Sequence, residues 1–247
     1  MRASRENSTR AAMRALPPKS FMKRLLPVIL VWGMWVVPQA APAAELDPKV
    51  AQWLGAQTNI QSWSADFIQT RSLKSLAEPL TATGHVWFAA PNRFRWELGR
   101  PAQTIAVRAK DELLIIYPRL KRVEKIPLTG DQTGPWRDAL ALLEAGFPRS
   151  AAELEAQYNI LSQQTKDDTG QVAMQPKSAA ARRMMPRILI EFSTRDFSLQ
   201  ATELHFADGS VLRNDFRRPA LNPSIDPAMF SPSIPADYKV VEPLQKR

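Results

Sequence analysis

The chain has 247 residues, 33 of them basic and 24 acidic, for a net charge of +9, and it has no cysteine. That length suits one large or two small domains, while the missing cysteines exclude a disulfide framework, a thiolate metal site and a lipid-attachment cysteine behind a leader. Seven of the 33 basic residues and one of the 24 acidic ones lie within residues 1–43, leaving 26 against 23, a net of +3, which argues against nucleic acid as a partner because such binding needs a clustered basic surface.

The seven are Arg2, Arg5, Arg10, Arg14, Lys19, Lys23 and Arg24. They precede the apolar run LLPVILVWGMWVV at 25–37, and Ala41-Pro42-Ala43 follows. A basic start, an apolar middle and an Ala-x-Ala end make the layout of a secretory signal. The apolar run falls short of the roughly 20 residues a membrane-spanning helix needs. The expected organisation is a signal peptide at 1–43 and one exported domain at 44–247.

Asp47-Pro48 opens a helix with an acceptor at the N-cap and proline in the first turn, and Val50, Trp53, Leu54 and Ile60 recur on one face up to about residue 62. Strand-like runs follow at 64–73, 82–89, 93–98, 103–108, 112–118 and 121–126, separated by short turns such as Pro91-Asn92 and Lys110-Asp111. A second helix is predicted over 133–147 (TGPWRDALALLEAGF), with Trp136, Leu140 and Leu143 at helical spacing. Strands resume at 157–163, 170–175, 187–193, 199–206 and 210–216, and five prolines punctuate the tail from Pro219 to Pro235. This order contains no β-α-β alternation, so the expected class is α+β, with one strongly curved antiparallel sheet.

The inventory for catalysis is thin. His85 and His205, the only histidines, both fall in predicted strands and belong to no metal-binding spacing. No G-x-S-x-G elbow exists, Asp167-Asp168 lies in a polar turn, and no Lys-Ser/Thr pair follows Gly130 or Gly134 to make a phosphate loop. The basic segment Ala179–Pro186 reads as a solvated loop in preference to a surface for acids or lipid headgroups. An enzyme is therefore not expected, nor a cofactor or a bound metal.

What remains is aromatic: Trp53, Trp63, Phe67, Trp87, Phe88, Phe94, Trp96, Trp136 and Phe147. In GHVWFAAPNRFRWEL (84–98) the second half alternates, with Phe94, Trp96 and Leu98 on one face and Arg93, Arg95 and Glu97 on the other. These rings fit either an ordinary core or a cavity for an apolar ligand, and composition does not choose between them.

Three stretches carry a resemblance: Ile60–Thr70 (IQSWSADFIQT), Gly84–Phe88 (GHVWF) with Pro91–Glu97 (PNRFRWE), and Ile225–Pro232 (IDPAMFSP). In this order they resemble the periplasmic outer-membrane lipoprotein carriers (LolA-like) across nearly the whole of 44–247. The resemblance implies an incomplete β-barrel with covering lid helices at 48–62 and 133–147. It implies an apolar cavity for the acyl chains of lipoproteins, bordered by Trp63, Phe67, Trp87, Phe94, Trp96, Ile105, Leu140 and Leu143. It also implies partners: acylated lipoproteins, an inner-membrane ABC-type transporter that loads the carrier, and an outer-membrane receptor that unloads it, with the carrier itself a monomer. A carrier of another acyl or polyene lipid and a non-enzymatic lipid or stress sensor on the same fold are the alternatives. Ala90 stands where the family typically has an arginine that holds the lid closed, leaving Arg93 and Arg95 as candidate substitutes, although alternation aims both away from Phe94's face.

Overall fold

The computed structural model describes residues 46–109, 111–128 and 150–242. The predicted helix at 133–147 lies outside them. Helix α1 runs Pro48–Gln57, with the Asp47 side chain accepting from the Lys49 amide at 2.8 Å and proline in the first turn. It stops short of the expected residue 62 because the chain turns at 58–60, where Thr58 Oγ1 donates to the Gly55 carbonyl at 2.7 Å, and strand β1 already begins at Ser62.

Twelve strands form one sheet: β1 (Ser62–Ser72), β2 (Leu80–Ala89), β3 (Arg93–Leu98), β4 (Thr104–Ala109), β5 (Glu112–Tyr117), β6 (Arg122–Pro127), β7 (Tyr158–Lys166), β8 (Thr169–Pro176), β9 (Arg187–Ser193), β10 (Leu199–His205), β11 (Val211–Leu221) and β12 (Lys239–Val241). Their spatial order is β12-β6-β5-β4-β3-β2-β1-β11-β10-β9-β8-β7. Every described pairing is antiparallel except β12 on β6. The outer strands β12 and β7 do not meet, so the sheet is an incomplete barrel and the class is α+β, as expected from the sequence.

The curvature is visible in the core. Trp63 and Phe67 of β1 and Val86 of β2 share one buried cluster with Val172 and Met174 of β8 and Ile188, Ile190 and Phe192 of β9. Strands three to five places apart in the sheet thus surround the same apolar volume, and Val50, Trp53 and Leu54 of α1 fill it. The Trp53 ring stacks on Phe192 at 4.9 Å between centroids.

Two glycines seat the largest rings. A Cβ at Gly84 would run into the Phe67 ring and the Glu97 carbonyl, and one at Gly170 into the Phe192 ring. Gly84 lies directly opposite Phe67, and Gly170 opposite Phe192. Each ring therefore lies flat across the neighbouring strand. This accounts for the glycine that opens GHVWF.

On the outer face, β9, β10 and β11 carry a charge ladder. Arg213 donates to Glu191 at 2.7 Å, to Glu203 at 3.3 Å and to Asp215 at 2.9 Å. Its carboxylate partners hold the guanidinium pKa above the ordinary arginine value, hydrogen bonding to Glu191 being the largest cause. The outer face of β4–β6 is instead apolar: Leu114, Ile116 and Val123 pack with Ile105 and with Ile234 and Tyr238 of the proline-rich tail.

Two short helices were not foreseen. Helix α2, Ala151–Gln157, is capped by Ser150. Helix α3, Ala179–Met184, occupies the basic segment that reads as a loop. Ser178 caps α3, Ala181 and Met185 are buried, and Arg182 donates to the Pro176 and Lys177 carbonyls at 3.2 Å.

Candidate functional site

Registers across the first strands settle which rings meet. Trp63 faces Phe88, Ala65 faces Val86 and Phe67 faces Gly84 between β1 and β2. Phe88 then faces Phe94, and Val86 faces Trp96, between β2 and β3. Because side chains directly opposite one another share a face, Trp63, Phe67, Phe94 and Trp96 all point inward. Their contacts make a continuous aromatic row: Phe67 to Trp96 at 4.1 Å, Trp63 to Phe216 at 5.1 Å and Trp96 to Phe216 at 6.3 Å between centroids. The row continues into a second buried cluster of Phe94, Leu113, Ile115 and Ile126 on the same face of β3–β6.

Two expected members do not join it. Trp87 lies opposite Ser64 and Arg95 on the outer face, with its ring 4.1 Å from that of His85. Ile105 also faces outward, opposite Glu97 and Ile116, in the cluster beneath the tail. The sequence misleads at both positions because strands covered on both sides are apolar on both sides. Leu140 and Leu143 lie outside the described residues.

One inward residue was missed. Arg108 faces Phe94 and Leu113 across β4's two ladders, so its side chain starts from the apolar face. Burial lowers the pKa of its guanidinium, as desolvation does for any cation. The signal was present in QTIAVR, where Thr104, Ala106 and Arg108 share a face. It was masked by the more apolar Ile105 and Val107 of the opposite face.

Arg93 and Arg95 do not reach the inner face. Arg93 sits 5.2 Å over the Phe230 ring. Arg95 donates to Glu97 at 2.7 Å and to the Met229 carbonyl at 3.2 Å. Both pin the short 3-10 helix Pro227–Phe230 of the tail to the outside of the sheet. The histidines are on the outer side as well, His85 Nδ1 2.9 Å from Asp66 and His205 Nε2 2.6 Å from Glu203. Among the described residues no group of three or more His, Cys, Asp or Glu side chains could hold a metal ion. The described inner face is dominated by apolar side chains, with Arg108 among them.

A family model described as the outer membrane lipoprotein carrier protein LolA matches residues 58–233, which contain the aromatic row and the pinned tail. The chain belongs to the LolA family. An outer-membrane lipoprotein carrier protein of Chromohalobacter salexigens is 29% identical over 187 residues, covering 74% of this chain and 81% of that one. A protein of the same description from Cupriavidus pinatubonensis is 25% identical over 190 residues, covering 75% and 83%. Among solved structures, a LolA superfamily protein from Nitrosomonas europaea matches with a TM-score of 0.38 at 11% identity, over 73% of this chain and 96% of that one.

Proposed function

We propose that this LolA-family chain is a periplasmic carrier that takes the acyl chains of lipoproteins against its inner face and shuttles them from the inner to the outer membrane. The observation that carries this reading is the aromatic row from Trp63 through Phe216 and Trp96 to Phe67, with Trp96 also packed on the Phe94 cluster, on the face that the curved sheet turns inward. Burial of acyl methylenes yields about 0.8 kcal/mol each, so partial burial of two or three long chains is enough to keep them from water. Holding cargo then needs no covalent chemistry. Release needs an acceptor that binds the acyl chains more tightly. The partners that fit are an inner-membrane ABC-type transporter that supplies the work of loading and an outer-membrane receptor that unloads. Residues 1–43 serve as the leader and are removed on export, and 44–247 act as a monomer.

Mass spectrometry of what copurifies with the exported protein tests the cargo. Acylated lipoprotein is expected, in amounts reduced by Trp96→Glu. Recovery of a different acyl or polyene lipid, with no lipoprotein, would replace the cargo named here. N-terminal sequencing of the same sample is expected to begin at Ala44.

A further inference from the structure

The outer face carries a second site, made of arginines. A groove of about 500 Å³ runs past residues 66–68 of β1 and 83–84 of β2, with Arg100, Arg217 and Arg218 around it. Asp66 is its one carboxylate. Arg100 and Arg218 both donate to Asp66, and His85 Nδ1 lies 2.9 Å from the same side chain. Arg217 makes no ion pair among the described residues, although it faces Asp66 directly across β1 and β11. Three guanidiniums against one carboxylate leave the groove with two uncompensated positive charges.

The backbone is shaped to produce this. In a regular strand, Arg217 and Arg218 would point to opposite faces. The β1–β11 register shifts between Ser64 and Asp66, so that a single residue of β1 opposes both Arg218 and Pro219. Arg218 itself has φ of 51°, in the left-handed region that disfavours a side chain. The bulge and this dihedral bring both guanidiniums to the same side of the sheet. Residues held in such conformations concentrate at functional sites.

Asp66 does not cancel the site; it orders it. By anchoring Arg100 and Arg218 it holds two flexible side chains at the groove, which lowers the entropy lost when an anion binds. Guanidiniums spaced around a concave surface suit an oxyanion that accepts several paired N–H groups at once, and phosphate is such an acceptor. The neighbouring groove residues Ile68 and Thr83 are exposed, and Ile68 is a large apolar side chain at 38% exposure.

We infer that the Arg100–Arg217–Arg218 groove is a phosphate-binding site, on the side of the sheet opposite the acyl-binding face and independent of what that face carries. The chemistry is shared by a free phosphate and a phospholipid headgroup, and two arms of one experiment separate them. Calorimetric titration of the full exported protein with inorganic phosphate reads the first. Cosedimentation with phosphatidylglycerol vesicles, against phosphatidylcholine vesicles at equal salt, reads the second. Arg217→Gln is expected to weaken binding about tenfold in whichever arm shows it, with an unchanged melting temperature because Arg217 is exposed and unpaired. Arg187→Gln, on exposed β9 surface, is expected to leave binding unchanged. Absence of binding in both arms would overturn the inference. So would equal losses in Arg217→Gln and Arg187→Gln, which would mean diffuse attraction to a basic surface. Because acyl cargo is measured separately, failure here leaves the carrier reading standing, and failure of the carrier reading leaves this site standing.

Discussion

At Gly84 a single missing methyl group decides where Phe67 lies. A Cβ there would occupy the space of the Phe67 ring and of the Glu97 backbone, and the backbone contact leaves little freedom to adjust. Gly84→Ala is therefore expected to destabilise the protein by about 1–3 kcal/mol through overpacking, read as a lower urea midpoint with an unchanged slope. Asp66 supplies a second test at this scale. The hydrogen bond from His85 first, and then Arg218, hold its carboxyl below the ordinary value of 3.8 against the opposing effect of burial. A carboxyl with a lowered folded-state pKa contributes stability that is present above its unfolded pKa and is lost as pH falls through the folded one. Asp66→Asn should thus show a shallower loss of stability on the acid side, below about pH 4, in melting experiments run across that range.

Helix α1 is ten residues long, too short to persist alone. Its start is fixed twice, by the Asp47 carboxylate on the Lys49 amide and by the Asp47 amide, which donates to Gln163 Oε1 of β7 at 2.9 Å. Its inner side is fixed by the Trp53 stack on Phe192. Asp47→Ala removes the cap and keeps the backbone bond to Gln163. A loss of about 0.5–2 kcal/mol is expected, together with faster amide exchange confined to the first turn of α1. Exchange that rises equally through β8 and β9 would show instead that the cap supports the whole cluster.

For the molecule as a whole, the tail closes one side of the sheet. Phe230 is 2% exposed beneath Arg93, and β12 adds a parallel strand to β6. Removing residues 224–247 would uncover Leu114, Ile116 and Val123 together with the β6 edge, and exposed apolar edge strands template pairing between chains. Truncation after Pro223 is expected to lower the melting temperature and to produce concentration-dependent association in size-exclusion chromatography. A truncated protein that stays monomeric with an unchanged melting temperature would mean the tail only decorates the sheet.

Local pattern was enough for most of the elements. Alternation and turn residues located most of the strands, Asp47-Pro48 located α1, and the period of two placed Phe94 with Trp96 and away from Arg93 and Arg95, because these properties depend only on neighbours in the chain. The three motifs, in order, were enough for the family. The sides of the sheet were another matter. Trp87 and Ile105 look as apolar as Trp63 and Phe67, and only the pairing register turns them outward, where His85 and the tail cover them. Arg108 looks like a surface cation until β3 and β5 flank it with Phe94 and Leu113. Arg217 and Arg218, adjacent in the chain, share a face only because a bulge opposite Ala65 breaks the alternation. Each of these outcomes was settled by the registers between strands, which for Arg217 and Arg218 join β11 to β1 about 150 residues away, and single-strand patterns do not contain those registers.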